Sequence, residues 1–492
     1  MGPITFDNSY ARLPEQFYAR QTPVPVAAPG PIRVNRQLAE QLGIDVNWLD
    51  SEAGTQVIAG NTVPSGSEPL ASVYAGHQFG GYNPQLGDGR AILLGEVLSV
   101  EGRRFDLQLK GSGRTPYSRG GDGRSPIGPV LREYVVSEAM HRLGVPTTRA
   151  LAAVTTGDKV QRDSLLPGAV LARVASSHIR IGSFQYFAAR RDIDSLKLLS
   201  DHVIERHYPD ARNSDNPILA MLEGIISRQA QLIAHWQLLG FIHGVMNTDN
   251  ILVCGETIDY GPCAFMDQFN PDQVFSSIDH AGRYAYRQQP AIAHWNLSVL
   301  AQALLPILDN EQERAVELAQ TAINAFPDQF LQANTEGMSR KLGLQAISDQ
   351  DTGLVEDLWQ LMAEHSLDFT LTFRRLADLA DEGAEAEGSI AELFEFPDSM
   401  QPWLERWHTR LAQESTSRSD RQASMYCTNP VFIPRNHLVE AAILAATERG
   451  DLATFDQLVD TLENPYEYRK ALALFATPPK PDEVVTQTFC GT

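Results

Sequence analysis

The segment from His243 to Gly261 constrains the fold of this chain more than any other stretch of the sequence. It reads His-Gly-Val-Met-Asn-Thr-Asp-Asn, then the apolar run Ile-Leu-Val-Cys, a short turn, and Thr-Ile-Asp-Tyr-Gly. This order predicts a tight polar loop, a strand at residues 251–254, a turn, and a second short strand from Thr257 that ends in Asp-Tyr-Gly; the two strands form a hairpin. Asn250 and Asp259 would lie on its opposite arms, and two oxygen ligands in that arrangement suit Mg²⁺.

The spacing within this segment partly matches the catalytic loop of protein kinases. His243 and Asn250 are seven positions apart (250 − 243 = 7), as in His-Arg-Asp-x-x-x-x-Asn, and Asp259 begins an Asp-Tyr-Gly where kinases have Asp-Phe-Gly. The usual catalytic Asp is replaced by Val245, which cannot accept a proton, but a carboxylate is found at Asp249. The pattern therefore predicts that the metal ligands of the kinase loop are retained and that the base lies at Asp249 instead of position 245. The plain alternative is that these are ordinary turn residues.

An upstream pattern is typical of a nucleotide-binding lobe. Glycines at Gly87 and Gly89 precede two β-like runs, and Lys110 ends the second run. Kinases cover ATP phosphates with such a glycine loop and contact them with such a lysine. Glu133, in the first turns of the next predicted helix, could pair with Lys110. A strand-end lysine is commonly just solvated, however, and an acidic residue near a helix N-terminus also suits the helix dipole.

Further basic and acidic groups surround these elements. Arg173 and Arg180 follow an apolar run, and guanidinium groups suit bidentate phosphate binding. Asp122-Gly123-Arg124 repeats the Asp-Gly-Arg that ends at Arg90. The alternatives are that Arg173 and Arg180 are surface residues and that Asp122-Gly123-Arg124 is an ordinary turn.

The rest of the chain predicts an α+β protein in which helices dominate the second half. Strands are predicted at 91–98, 104–109, 149–155 and 168–175, the last two joined by a turn at Gly157-Asp158. Helices are predicted at 37–42, 129–143, 195–208, 217–239, 291–308, 311–325, 354–365 and 438–449. Residues 414–422 are predicted to be a surface loop, and the chain from 478 an extended tail.

Composition excludes several function classes. The net charge of −21 and pI near 5.0 argue against nonspecific binding to nucleic acid or an anionic membrane. No apolar run approaches about 20 residues, so we expect no membrane span. The four cysteines have no zinc or C-x-x-C spacing, and the N-terminus resembles no signal peptide. We expect a cytoplasmic monomer.

Four long motifs resemble the selenoprotein O family, of the type called YdiU in bacteria. They span residues 74–80, 84–90, 110–124 and 243–250. The resemblance implies a protein-kinase-like bilobal fold with a mixed α/β N-lobe, a mainly helical C-lobe and a helical C-terminal extension. We therefore divide the chain into a lead-in (1–73), an N-lobe (74–190), a C-lobe (191–289) and the extension (290–492).

The resemblance also implies an activity: ATP bound in a flipped orientation, and AMP transferred to Ser, Thr or Tyr hydroxyls of client proteins. Asp249 would be the base, and Asn250 and Asp259 would hold Mg²⁺ or Mn²⁺. Glu133 would steady Lys110. The implied nucleotide-binding residues are Gly87, Gly89, Arg90, Lys110, Asp122, Gly123, Arg173, Arg180 and Asp259.

Three points stay open at this stage. The first is the redox link between tail and activation segment that the resemblance suggests. Cys490 could form it with Cys263, but Phe275 stands where a relative could have a cysteine, so the pairing stays open. The second is an ordinary kinase that transfers the γ-phosphate. The third, motivated by Val245, is a nucleotide-binding scaffold without turnover.

Overall fold

The computed structural model describes residues 3–381 and 388–489, and it has a mixed α+β fold. An antiparallel sheet has the strand order β1-β3-β6-β7-β10-β9-β2, with β8 added on β10, while β4 pairs with β5 and β11 with β12. The strands are β1 (Tyr18–Arg20), β2 (Gly30–Val34), β3 (Leu70–Ser72), β4 (Gly76–Gln78), β5 (Gly81–Asn83), β6 (Ala91–Leu98), β7 (Arg104–Lys110), β8 (Ser125–Pro126), β9 (Arg149–Gln161), β10 (Leu165–Ala175), β11 (Phe241–Ile242) and β12 (Ala264–Phe265).

The helices are concentrated after β10. They are α1 (Arg36–Gln41), α2 (Val46–Leu49), α3 (Glu52–Ile58), α4 (Ile127–Arg142), α5 (Ile181–Arg190), α6 (Ile193–His207), α7 (Pro217–Leu239), α8 (Gln289–Leu308), α9 (Gln312–Asn324), α10 (Phe326–Lys341), α11 (Thr352–Glu364), α12 (Phe369–Leu379), α13 (Gln401–Leu411), α14 (Arg418–Thr428), α15 (Asn436–Arg449), α16 (Ala453–Leu462) and α17 (Ala473–Ala476).

The two faces of the sheet are covered by different parts of the chain. Along β10, Leu171 packs in a cluster with α4, whereas its neighbours Val170 and Ala172 pack with α1 and α3. This alternation is the two-residue period of a strand buried on both faces. The N-terminal segment, for which the sequence predicts only the helix at 37–42, supplies three short helices to one face and the edge strands β1 and β2.

Helix α4 is buried on nearly all sides. One side packs on β9 and β10, and the other packs on α15 and α16 of the C-terminal region through residues such as Val439 and Phe455. Arg132 on α4 reinforces this contact with a hydrogen bond from Nη1 to Asn436 Oδ1 at 3.1 Å. The C-terminal helices therefore fix the helix that bears Glu133.

Three secondary-structure predictions are wrong. The two strands predicted after Asn250 are isolated bridges at Leu252 and Thr257, because their apolar side chains pack in a separate small cluster around a turn at Gly255. The turn predicted at Gly157-Asp158 lies inside β9, where Gly157 takes a positive φ of 73° and the strand continues to Gln161. The loop predicted at 414–422 ends at Ser417, which caps α14 through a hydrogen bond from Asp420 N at 3.1 Å.

One described helical segment, Tyr286–Leu308, is long and apolar enough by length and composition to cross a membrane (23 residues, mean hydropathy 1.4). Half of its most apolar window is buried within the protein. Leu297, Leu300 and Leu304 pack in the same core cluster as α7 and α9. This packing is that of an internal core helix.

Candidate active site

Strand pairing gathers three polar side chains on the face of the sheet that α4 covers. In β7, Gln108 lies opposite Arg173 of β10, and Lys110 projects to the same face two residues further on. Glu133 on α4 reaches Lys110, with 2.5 Å between Oε2 and Nζ. The structure thus brings Lys110 and Glu133 into the contact that the sequence predicts.

Three cationic side chains converge on the carboxylate of Asp259. Oδ1 lies 3.0 Å from Lys110 Nζ and 2.8 Å from Arg173 Nη1, and Oδ2 lies 2.7 Å from Arg180 Nη1. Burial alone would raise the pKa of Asp259, but the three cations together lower it well below its usual range. Asp259 is therefore a fixed anion. Its positive φ of 62° is unusual for a residue other than glycine, and such backbone strain is common at functional sites.

The two arginines are buried and multiply bonded. Arg173, with 1% of its surface exposed, also contacts Glu133 Oε1 at 3.1 Å and Gln108 Oε1 at 2.6 Å. Arg180 donates to the backbone oxygen of Asp249 as well as to Asp259, and its guanidinium lies 4.9 Å from the ring centroid of Tyr74. Arg180 therefore links the two carboxylate-bearing segments of the site.

His243 braces the loop that precedes Asp259. Its ring is fully buried, stacks on Trp236 at 5.3 Å between centroids, and bonds through Nε2 to the carbonyl of Ile258 at 2.8 Å. Burial lowers the pKa of His243. Asn250 closes the same loop with a hydrogen bond from Nδ2 to Val245 O at 2.9 Å. These contacts favour a structural role for His243.

Asp249 lies in a short 3₁₀ turn, Thr248–Asn250, and its electrostatic environment differs from that of Asp259. Burial raises its pKa to about 6, although Arg180 and a hydrogen bond from Gln78 lower it. Gln78 Nε2 donates to Oδ2 at 3.0 Å, while Oδ1 is buried and has no hydrogen-bond partner within the described structure. A carboxylate with a pKa near neutrality can exchange protons with a reacting group.

The glycine loop is joined to this cluster through buried side chains. Asp88, between Gly87 and Gly89, accepts from Gln108 Nε2 at 3.3 Å, and Gln108 in turn accepts from Arg173. A side chain on Gly87 would collide with the ring of Tyr117, at 2.4 Å, so glycine is required there. The half-buried Arg90 ends the loop, and its carbonyl accepts from Gly111 N at 2.7 Å.

Asp122 is exposed, whereas its neighbour Gly123 is buried. Asp122 pairs with Arg162 at 2.9 Å, and this hydrogen bond lowers its pKa. Gly123 adopts a positive φ of 70° and packs against the backbone of Gly113. The contacts described for Asp122 are with Arg162 and Arg124, not with the Asp259 cluster.

The donor set can be tested for a divalent metal. Among the described residues there is no group of three or more His, Cys, Asp or Glu side chains that could hold an ion. Asn250 and Asp259 instead offer an amide and a carboxylate oxygen. Mg²⁺ is commonly held by one or two such protein oxygens together with substrate phosphates and water. The residues therefore fit a metal that arrives with a nucleotide.

The C-terminal tail lies against the segment after Asp259. Thr488 donates from its backbone N to Phe275 O and from Oγ1 to Pro262 O, each at 2.7 Å. Cys263 is buried beside Pro262. Cys490 lies outside the described residues, so its predicted link to Cys263 stays a prediction.

Sequence reasoning missed two contact residues of the site. Gln108 precedes Lys110 by two positions, and the strand period could have placed both side chains on one face. Gln78 lies in the motif that begins at Tyr74, but nothing in the sequence predicts that this hairpin reaches Asp249.

A buried set of cations around one carboxylate, beside a second carboxylate with a raised pKa, marks a candidate functional site whose cations suit phosphate groups. The family model described as "Protein adenylyltransferase SelO" matches residues 3–463. The chain is 57% identical over 487 residues to a "Protein nucleotidyltransferase YdiU" of Bradyrhizobium diazoefficiens, covering 99% of each chain. It is 56% identical over 492 residues to that of Rhizobium meliloti, covering 100% of each.

The chain belongs to the SelO family of protein adenylyltransferases. It is accordingly an enzyme, a nucleotidyltransferase.

Proposed function

We propose that this enzyme transfers AMP from ATP to Ser, Thr or Tyr hydroxyls of client proteins, with the chemistry divided between Asp259 and Asp249. The observation that carries this proposal is the convergence of Lys110, Arg173 and Arg180 on Asp259. Such a cluster suits the β- and γ-phosphates of ATP, which leave together as pyrophosphate in AMP transfer.

In this mechanism the hydroxyl oxygen of the client attacks the α-phosphorus. The bond from that phosphorus to the oxygen bridging to the β-phosphate breaks, and its electrons leave with pyrophosphate. Asp249 accepts the hydroxyl proton. Arg180 stabilises the leaving group, and Lys110, oriented by Glu133, does the same. Gly87, Gly89, Arg90, Asp122, Gly123 and Arg173 would complete the nucleotide site.

Asn250 and Asp259 would hold Mg²⁺ or Mn²⁺. Bound there, the ion would neutralise phosphate charge. Because Lys110, Arg173 and Arg180 already share the Asp259 carboxylate, these cations and the ion compete for it. The metal concentration that the enzyme requires should therefore depend on the other groups that contact Lys110, Arg173 and Arg180.

We further propose the kinase-like bilobal arrangement, with lead-in 1–73, N-lobe 74–190, C-lobe 191–289 and extension 290–492. The lysine–glutamate pair between sheet and helix and the Asp-Tyr-Gly segment support it. The packing of α15 and α16 on α4 means that the extension would be integral to the catalytic unit. We propose that the enzyme acts in the cytoplasm as a monomer.

The direct test is the intact mass of an acceptor protein after incubation with enzyme, ATP and Mg²⁺, using casein and the chain itself as acceptors. An added AMP supports the proposal. An added phosphate would indicate a kinase, and ATP labelled separately at the α- and γ-positions makes the same distinction. Absence of label with either metal, while ATP still binds, would favour a scaffold.

The Asp249→Asn variant tests the base. General-base catalysis contributes about 10²- to 10⁴-fold, so we expect a loss of that size in kcat with ATP binding unchanged. A wild-type rate from Asp249→Asn would refute the role assigned to Asp249.

A further inference from the structure

The hairpin of β4 and β5 packs directly on the turn that bears Asp249. His77 N donates to Thr248 Oγ1 at 2.7 Å, and Phe79 N donates to Asn247 Oδ1 at 3.1 Å. Between these two backbone contacts, the side chain of Gln78 donates to Asp249 Oδ2 at 3.0 Å. Three consecutive residues of the hairpin thus contact three consecutive residues of the loop.

The hairpin also closes over the other carboxylate oxygen. A methyl group on Gly76 would lie 2.9 Å from Asp249 Oδ1 and 3.0 Å from Leu86 Cδ1, so only glycine allows this close approach. Oδ1 is buried and has no hydrogen-bond partner within the described residues. The hairpin thus contacts both carboxylate oxygens of Asp249, with Gly76 against Oδ1 and the amide of Gln78 on Oδ2.

The turn between β4 and β5 keeps its conformation despite backbone strain at Phe79. Phe79 adopts a positive φ of 52°, which is unfavourable for a bulky residue. It is stabilised by the bond to Asn247, by a second bond from its N to Tyr284 Oη at 3.2 Å, and by its ring contact with Tyr284 at 5.1 Å between centroids. Such strain is retained where the surrounding structure fixes a functional geometry.

We infer that Gln78 is a positioning residue for the transfer reaction: its amide orients the Asp249 carboxylate so that Oδ2 meets the client hydroxyl, while Gly76 covers Oδ1. This inference rests on the proposed role of Asp249 as the base. The amide donor acts through Asp249, and it needs no contact with ATP.

The substitution Gln78→Met removes the donor and keeps the length of the side chain. Because a hydrogen bond to a charged group is lost, we expect kcat to fall about 10- to 100-fold, while KM for ATP stays within about twofold. Gln78→Glu places a second carboxylate beside Asp249, so its kcat should fall further. The matched control is Gln85→Met, at an exposed position, and it should keep wild-type kcat.

The deciding measurement is a double-mutant cycle with Asp249→Asn, using α-labelled ATP with casein and the chain itself as acceptors, under single-turnover conditions. If Gln78 acts through Asp249, Gln78→Met costs nothing further in the Asp249→Asn background. An equal fold-loss in both backgrounds, a rise in KM without a fall in kcat, or wild-type kcat in Gln78→Glu would overturn the inference and leave Asp249 as the base. A wild-type rate in Asp249→Asn itself would instead remove the proposed mechanism.

Discussion

Neutralising Glu133 should change the metal requirement of the enzyme more than its affinity for ATP. Glu133 is 3% exposed, and its two oxygens contact Lys110 at 2.5 Å and Arg173 at 3.1 Å. Both cations also contact Asp259. In Glu133→Gln, Lys110 and Arg173 keep their contacts with the carboxylate of Asp259. They should then bind this carboxylate more closely and compete more strongly with Mg²⁺ for it.

The size of the effect follows from the lost negative charge of Glu133, because the amide of Gln keeps one acceptor oxygen where the carboxylate has two. A hydrogen bond to a charged group contributes about 1.5 to 3 kcal/mol. If about 1.4 kcal/mol of this reappears in stronger contacts to Asp259, the apparent affinity for Mg²⁺ falls about tenfold. Removing one partner of a buried ion pair also costs about 3 to 5 kcal/mol of stability, so the assay temperature must lie well below the unfolding transition.

The assay is a Mg²⁺ titration of AMP incorporation at saturating ATP, followed by intact mass. Glu138→Gln is a matched control, because Glu138 is also a buried carboxylate on α4 and pairs with Arg149 at 2.8 Å, away from Lys110. We expect the shift in Glu133→Gln alone. An unchanged Mg²⁺ midpoint in Glu133→Gln, or an equal shift in Glu138→Gln, would refute the competition at Asp259.

Three further outcomes are expected. One nitrogen of Arg180, Nη1, bonds both segments, and the side chain of Arg180→Lys ends one bond short of that nitrogen, so kcat/KM for ATP should fall about 10- to 100-fold. Arg190→Lys, at the exposed end of α5, should keep the wild-type kcat/KM, and equal losses in the two variants would contradict this. Burial lowers the pKa of His202 to about 4, below its unfolded value, so the unfolded state binds more protons and stability should fall by up to about 3 kcal/mol as the pH drops from 6.5 to 4. Denaturant titrations across that range should show a smaller loss of stability in His202→Gln than in the wild type. An equal loss in both would refute the assignment of this effect to His202. Burial lowers the pKa of Lys341 to about 7, so Lys341→Met should raise the free energy of unfolding at pH 7 by about 1 to 4 kcal/mol, which a lower urea midpoint would contradict.

Much of the secondary structure was predictable because its signals are local. The helix at Pro217–Leu239 agrees at both ends with the prediction, since Pro217 begins it and Gly240 takes a left-handed φ of 69° after it. The strand at Ala91–Leu98 agrees equally well. The bridges at Leu252 and Thr257 were predicted as strands because a short apolar run does not reveal whether a neighbouring strand is available to pair with it.

The site was predictable where a kinase-like order of elements or a family resemblance assigns the interacting residues. The contact of Lys110 with Glu133 follows from a strand end and a helix start. The bond of Gln78 to Asp249 spans 171 positions in the chain, and no periodicity links residues so far apart. Such contacts depend on how the hairpin and the loop pack, which is set by the tertiary structure.

The site gives two aspartates ten positions apart (259 − 249 = 10) opposite protonation behaviour. Lys110, Arg173 and Arg180 lower the pKa of Asp259 despite its burial, so this carboxylate stays ionised and suits a cation. Asp249 is also buried, but it faces an amide and the covering hairpin, and its pKa rises to about 6. Paired carboxylates separated in this way take different chemical roles, one electrostatic and one in proton transfer. Because Arg180 bonds the carboxylate of Asp259 but only the backbone of Asp249, it can join the two residues without making their carboxylates alike.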